Sequence, residues 1–410
     1  MYALRARHCF DGTRFVDGGA TVLVDDGRIL GVEAFGSPVP DGCEVTTYDG
    51  TLLPGLVDAH VHLVADSGPN ALDRVAGYSD AELDGVVSEA LRRQLTAGVT
   101  TVRDLGDRRF NVVDRRDRQR SGSASEPRIV ASGPPVTTPG GHCGSLGGEV
   151  AGADQIRASV RERLDHHVDM VKVMASGGLN TPGTDALRTQ YSDDDLRLLV
   201  DSAHDAGLPV TAHAHGTPAV QQALAAGVDG IEHCSCATDR GFGDADDALL
   251  ETLGRSDVVV CPTLGADSRA MSTPPPRLQA MAARMGTTVQ QMFRDRCLFI
   301  GRLSRAGVRI VSGVDAGIQP PKAHGTLPFA VADLVDAGLS VADAVATATS
   351  QSADACGLQG TTGRLARGCD ADLLVVAGDL SQDVTALNRP EAVHRGGVEI
   401  GPGARGRLLT

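Results

Sequence analysis

The chain has 410 residues, 41% hydrophobic and 22% charged, as expected of a globular protein with room for one large domain and a smaller one. Its formal net charge of −14 argues against nucleic acid or an anionic membrane as partner, and nine scattered cysteines do not read as a disulfide framework. No signal-like start and no apolar run near the roughly 20 residues of a membrane helix are present, so a soluble, cytoplasmic chain is expected.

From residue 1 to about 56, short alternating strands are separated by Asp/Gly turns, with "ATVLVDDGRILGVEA" reading as a hairpin around Asp25-Asp26-Gly27. The middle of the chain changes pattern. "DAELDGVVSEALRRQLTAG" is an amphipathic helix ended by Gly98, and the strand "VTTVRDLGD" follows at once. "YSDDDLRLLVDSAHDAG" starts at Ser192 as N-cap, and "TPAVQQALAAG" has Thr217 as N-cap with Pro218 at the first helical position. Eight apolar strands can be counted in this region, from "GLVDAHVHL" to "VRIVSGVDAG". Repeated strand–helix units of that number favour a (β/α)₈ TIM-like barrel of the α/β class over residues 57–354. Residues 275 to 306 read as a helical insertion between the seventh and eighth strands, with "STPPPR" as a loop at the mouth. Short strands return in "ADLLVVAG" and "EAVHRGGVEIG", so residues 1–56 and 355–410 are expected to form a small β domain together.

The expected barrel strands carry unusual polar residues. His60 and His62 are two apart in "DAHVHL", and positions i and i+2 share a strand face. Lys172 sits in the apolar "VKVM", where an ammonium is costly unless paired or neutral. His213 and His215 lie on the fifth strand, His233 on the sixth and Asp315 on the eighth. Barrel sites gather at the C-terminal strand ends, which would bring these residues together. Imidazoles and a carboxylate suit two divalent metal ions, Zn²⁺ best, and two close metals can share a hydroxide and polarise a carbonyl. A neutral Lys172 amine could add CO₂ to give a bridging carbamate, and Asp315 could bind a metal and shuttle the proton.

This constellation, with "DAHVHL", "VKVMASGG", "TAHAHG", "IEHCS" and "SGVDAG", resembles the amidohydrolase superfamily over nearly the whole chain. Within it the chain looks most like the carboxylated-lysine branch related to imidazolonepropionase and Xaa-Pro dipeptidases. The resemblance implies a small β-sandwich domain built from both terminal segments. It also implies that His60, His62 and Asp315 hold one metal, that His213 and His233 hold the other, and that carboxylated Lys172 bridges them. His142, in "TTPGGHCG", would contact the substrate carbonyl, and His215 would meet the substrate. A homo-oligomer is implied as well.

Arg188 and Tyr191, after the fourth strand, are candidates to grip a substrate carboxylate, and His324 is a candidate for lining the mouth. Asp58 is expected to orient one of the histidines, and Arg103 to pair with Asp104. His8, His204 and His394 are expected at the surface. The resulting expectation is a hydrolase of a C–N bond in a small-molecule amide, a dipeptide or N-acyl amino acid. A cyclic amide substrate, ester or phosphotriester hydrolysis, and a non-catalytic barrel scaffold are the alternatives.

Overall fold

The computed structural model describes residues 1–119, 125–271, 274 and 276–400; half of the expected "STPPPR" loop falls outside them. Among these residues, seven strands form one mixed sheet: β1 (Tyr2–Cys9), β2 (Ala20–Asp25), β3 (Arg28–Ala34), β4 (Glu44–Pro54), and, after an intervening region that holds β5 to β12, β13 (Leu373–Val376), β14 (Pro390–Arg395) and β15 (Val398–Glu399). Their order is β15-β14-β13-β4-β1-β2-β3, so by hydrogen bonding the terminal segments make one continuous sheet. The β2–β3 turn has Asp26 at φ 45° and Gly27 at φ 74°, the two left-handed residues that a tight hairpin turn demands. Alternation along β13 sorts its side chains. Leu373 and Val375 join the sheet's own core, whereas Leu374 and Val376 pack into the larger core of the central region.

The intervening strands are β5 (Leu56–Val61), β6 (Val99–Asp104), β7 (Arg128–Ala131), β8 (Val171–Met174), β9 (Val210–Gly216), β10 (Gly230–Ala237), β11 (Val259–Cys261) and β12 (Arg309–Ile310). The first three pair in parallel, and β8 to β12 form a five-stranded parallel sheet in chain order. Single parallel bridges link the edges of these sheets, Val136 with Val173 and Val61 with Ala316. All residues of β5, β6, β8, β9 and β10 are buried, the pattern of parallel strands covered on both faces.

Helices between the strands supply that cover. The helix Asp80–Thr96 opens with a capping box between Ser79 and Glu82 and buries Leu83, Val87, Leu91 and Leu95 along one stripe. Each such side chain contributes about 1.5–3 kcal/mol relative to exposure. Ser192 caps the helix Asp193–Asp205 by accepting from the Asp195 N–H. Thr217 is the first residue of its helix rather than the cap, because its hydroxyl donates to the Asp244 carbonyl at 3.0 Å. Two helices, Pro276–Arg284 and Val289–Arg305, fill the expected insertion between β11 and β12.

Candidate metal centre

The C-terminal ends of the parallel strands surround a cavity of about 540 Å³. His60, His62, His142, Lys172, His213, His215, His233 and Asp315 all line it. Among the described residues three groups offer ligand atoms within 4.8 Å of one another, and two of them line the cavity throughout: His60, His62 and Asp315, and His213, His215 and His233; of the third, His60, Glu232 and Cys261, only His60 lines it. Alternation does the first part of this work, since His60 and His62 leave β5 on one face. Asp315 is not on a strand. It lies beyond the two-residue β12 in a left-handed conformation, φ 66°, pinned by its N–H to the His60 carbonyl at 2.8 Å. Its Oδ1 lies 3.5 Å from His60 Nε2 and 3.3 Å from His62 Nε2. Burial alone would raise its pKa, but the hydrogen bond from His62 and the charges of His60, His62 and Lys322 hold it well below the usual carboxylate range.

Each histidine is held through its other ring nitrogen. His60 Nδ1 meets Glu232 Oε2 at 2.7 Å, and His62 Nδ1 meets the Gly106 carbonyl at 3.1 Å. In the second group, His213 Nε2 faces the Gly177 carbonyl at 3.1 Å, His215 Nδ1 the Ser235 hydroxyl at 2.9 Å and His233 Nδ1 the Thr263 hydroxyl at 2.8 Å. Such partners fix ring orientation and tautomer for metal binding. Burial pushes His60 down to about 4 and the second group well below the ordinary imidazole value, so these rings are neutral donors.

Lys172 is 1% exposed and its Nζ has no hydrogen-bond partner. Burial lowers its pKa, Arg103 adds to the effect, and Glu232 and Asp315 oppose it. An orphaned amine among imidazoles and a carboxylate is a donor set suited to divalent cations. His142 follows β7, lies with its ring 4.5 Å from the His213 ring at a tilt of 47°, and bonds Thr181 Oγ1 at 2.8 Å through Nδ1. Gly178 is required there, since a Cβ would overlap the His142 ring.

Three expected substrate contacts are placed elsewhere. Arg188 is 82% exposed at its side chain and sits 3.7 Å from Asp185 in the loop before the helix Asp193–Asp205. Tyr191 is buried in the core, apart from the cavity wall, with the Arg163 charge nearby. His324 turns its Nε2 to the Ala65 carbonyl at 3.0 Å and does not line the cavity. Arg103 pairs with Glu232 at 2.9 Å, not with Asp104, whose carboxylate instead accepts the Leu63 and Gly106 N–H groups. Asp58 orients backbone rather than a ring, accepting from the N–H groups of His60 and Val314. His394 is buried at 4% exposure.

Glu232 escaped the sequence reading. It accepts from Arg103, from Thr211 at 2.7 Å and from His60, deep in the interior. Strict alternation would put Glu232 and His233 on opposite faces, but His233 has φ 68° and the pairing with β9 shifts register after it. The local twist turns both side chains inward, at a conformational cost on the order of 1–3 kcal/mol.

Residues 51–400 match the amidohydrolase family model. The chain belongs to the amidohydrolase family. Imidazolonepropionase from Salinispora tropica is 27% identical to this amidohydrolase, over 87% of the chain and 85% of the relative. Ochratoxinase from Aspergillus niger is 24% identical, over 83% of the chain and 73% of the relative. Among solved structures, a Xaa-Pro dipeptidase with bound methionine superposes with a TM-score of 0.83 at 24% identity, covering 98% of this chain and 99% of that one. That likeness shows a TIM-barrel-type amidohydrolase fold. The amidohydrolase is a hydrolase with relatives acting on C–N bonds, and its described residues contain no helix long and apolar enough to cross a membrane.

Proposed function

We propose that this amidohydrolase cleaves the C–N bond of a dipeptide or N-acyl amino acid, with two divalent cations, Zn²⁺ foremost, and a CO₂-derived carbamate on Lys172. The observation that carries the reading is the Lys172 amine, buried without a partner in the cavity that both histidine groups line. His60, His62 and Asp315 would hold one cation, the second histidine group the other, and derivatised Lys172 both. His213, His215 and His233 are all within ligand reach of one another, so the second group has three candidate donors. When bound, the cations would polarise the amide carbonyl and make water acidic enough to attack at neutral pH.

The chain's own groups supply the rest. The Asp315 carboxylate, ionised beside His62, takes the proton of the attacking water and returns it to the amine nitrogen as the C–N bond breaks. His142 donates to the carbonyl oxygen as charge grows on it. The eight parallel strands act as a closed barrel over 57–354, with 1–56 and 355–410 as the companion β domain. A cytoplasmic homo-oligomer completes the reading.

Lys172→Ala tests it. Purified wild type should carry about two divalent ions per chain, and the variant should lose most of them unless a short-chain carboxylic acid is added. Undiminished metal content and activity in the variant would overturn the carbamate role. The similarity to imidazolonepropionase favours a second reading, a cyclic amide opened without release of a separate amine; product analysis for free amine separates the two.

A further inference from the structure

Two buried cations in the cavity wall have no carboxylate within ion-pair distance among the described residues, although the Asp315 charge reaches both through space. Arg296, on the helix Val289–Arg305, is 6% exposed. Its Nη2 donates to the Pro262 carbonyl and to Thr263 Oγ1, and its Nε is buried without a partner. Lys322 is likewise 6% exposed, and its Nζ donates to the carbonyls of Thr263 at 2.6 Å and Val314 at 2.8 Å. Both line the same cavity as the metal-binding candidates and both anchor on Thr263.

Carboxylates act on these groups through space but are committed elsewhere. Asp315 faces His60 and His62, and Asp333 accepts the Gly265 N–H at 2.8 Å. Neither forms an ion pair with Arg296 or Lys322 among the described residues. Two buried cations sharing a cavity face without a partner anion are expensive, and a buried cation normally survives because something pairs with it. A guanidinium beside an ammonium is a donor set that matches a carboxylate. Leu179, Phe242, Leu278 and Met292 furnish an apolar wall in the same cavity.

We propose that Arg296 and Lys322 form the carboxylate-recognition site of the substrate cavity, selecting amides that carry a free carboxylate and an apolar group. This deepens the amide-hydrolysis reading and rests on it for the identity of the bond cleaved. It replaces Arg188 and Tyr191 as the groups that hold the acid. The site also accounts for the insertion between β11 and β12, whose second helix delivers Arg296 to the cavity.

The test is calorimetric binding of 4-phenylbutanoate and 4-phenylbutanol to the zinc-loaded full chain; neither probe has an amide to break. The acid should bind about tenfold tighter or more, as a charge-assisted pair implies. Arg296→Gln and Lys322→Gln should each erase most of that preference while metal content stays at the wild-type level. The wild-type ratio and the Lys322 variant keep the test decisive should Arg296→Gln fail to fold. Equal binding of acid and alcohol overturns the proposal, as does a preference that survives in the folded variants or disappears only together with the metal. Because binding is read without turnover, absence of amide hydrolysis would overturn the broader reading and leave this result standing.

Discussion

His60 in β5 and His394 in β14 are each buried in a sheet, at 1% and 4% exposure, yet they keep different company. His60 engages Glu232 through Nδ1 and faces Asp315 through Nε2, and Glu232 in turn holds Arg103 and Thr211. Among the described residues His394 hydrogen-bonds only the Tyr2 hydroxyl, 3.1 Å from Nδ1, while its Nε2 has no partner. Burial alone drives His394 down to about 4. The terminal sheet thus tolerates a neutral imidazole as packing, whereas the parallel strands build a network whose members compensate one another. Damage should spread in the second region and stay local in the first.

The sharpest way to break this contrast is Glu232→Ala. It strands the Arg103 guanidinium in the interior and releases His60, so about 3–5 kcal/mol of stability should be lost along with 10–100-fold in metal affinity. Urea unfolding and metal titration measure both, and a loss no larger than that of a surface substitution would refute the network.

Acid should probe the terminal sheet. His394 has an ordinary pKa of 6.5 when unfolded and about 4 when folded. Between those values the unfolded chain binds more protons, so stability is fully present above pH 6.5 and falls as the pH drops towards 4, by up to about 3 kcal/mol. His394→Leu should remove that component from the pH profile of unfolding without altering metal content. An unchanged profile would mean that the buried imidazole is not what acid attacks.

The smallest effect is expected from Ser235→Ala. It takes one neutral hydroxyl from His215, costing about 1 kcal/mol in thermal unfolding, and should leave the Glu232–His60 side intact. If metal binding by His60 and His62 weakens as well, the two histidine groups are coupled more tightly than their separate partners imply.

What could be read in advance divides by the range of the physics involved. The caps at Ser79 and Ser192 and the shared face of His60 and His62 follow from local geometry and were legible. Lys172 stood out because an ammonium in an apolar strand has no cheap explanation. Glu232 did not, because period-two alternation hides a residue beside a left-handed His233. Arg188 and Tyr191 lie close in sequence to the Lys172 strand, but the intervening loop sends one to solvent and the other into the core. Arg296 arrives from a helix more than a hundred positions later, which only three-dimensional packing reveals.

The position of β4 in the terminal sheet sets a schedule for synthesis. It takes β1 on one side and β13 on the other, and Thr51 bonds the carbonyl of Gly378, 327 positions away. On the ribosome, the β13 side of β4 stays an open edge while the whole middle of the chain is made. An open edge is a template for pairing with other nascent chains, and contacts this distant in sequence close slowly. The β13 side of β4 is therefore the last edge of the terminal sheet to be sealed, and until then it is open to wrong partners.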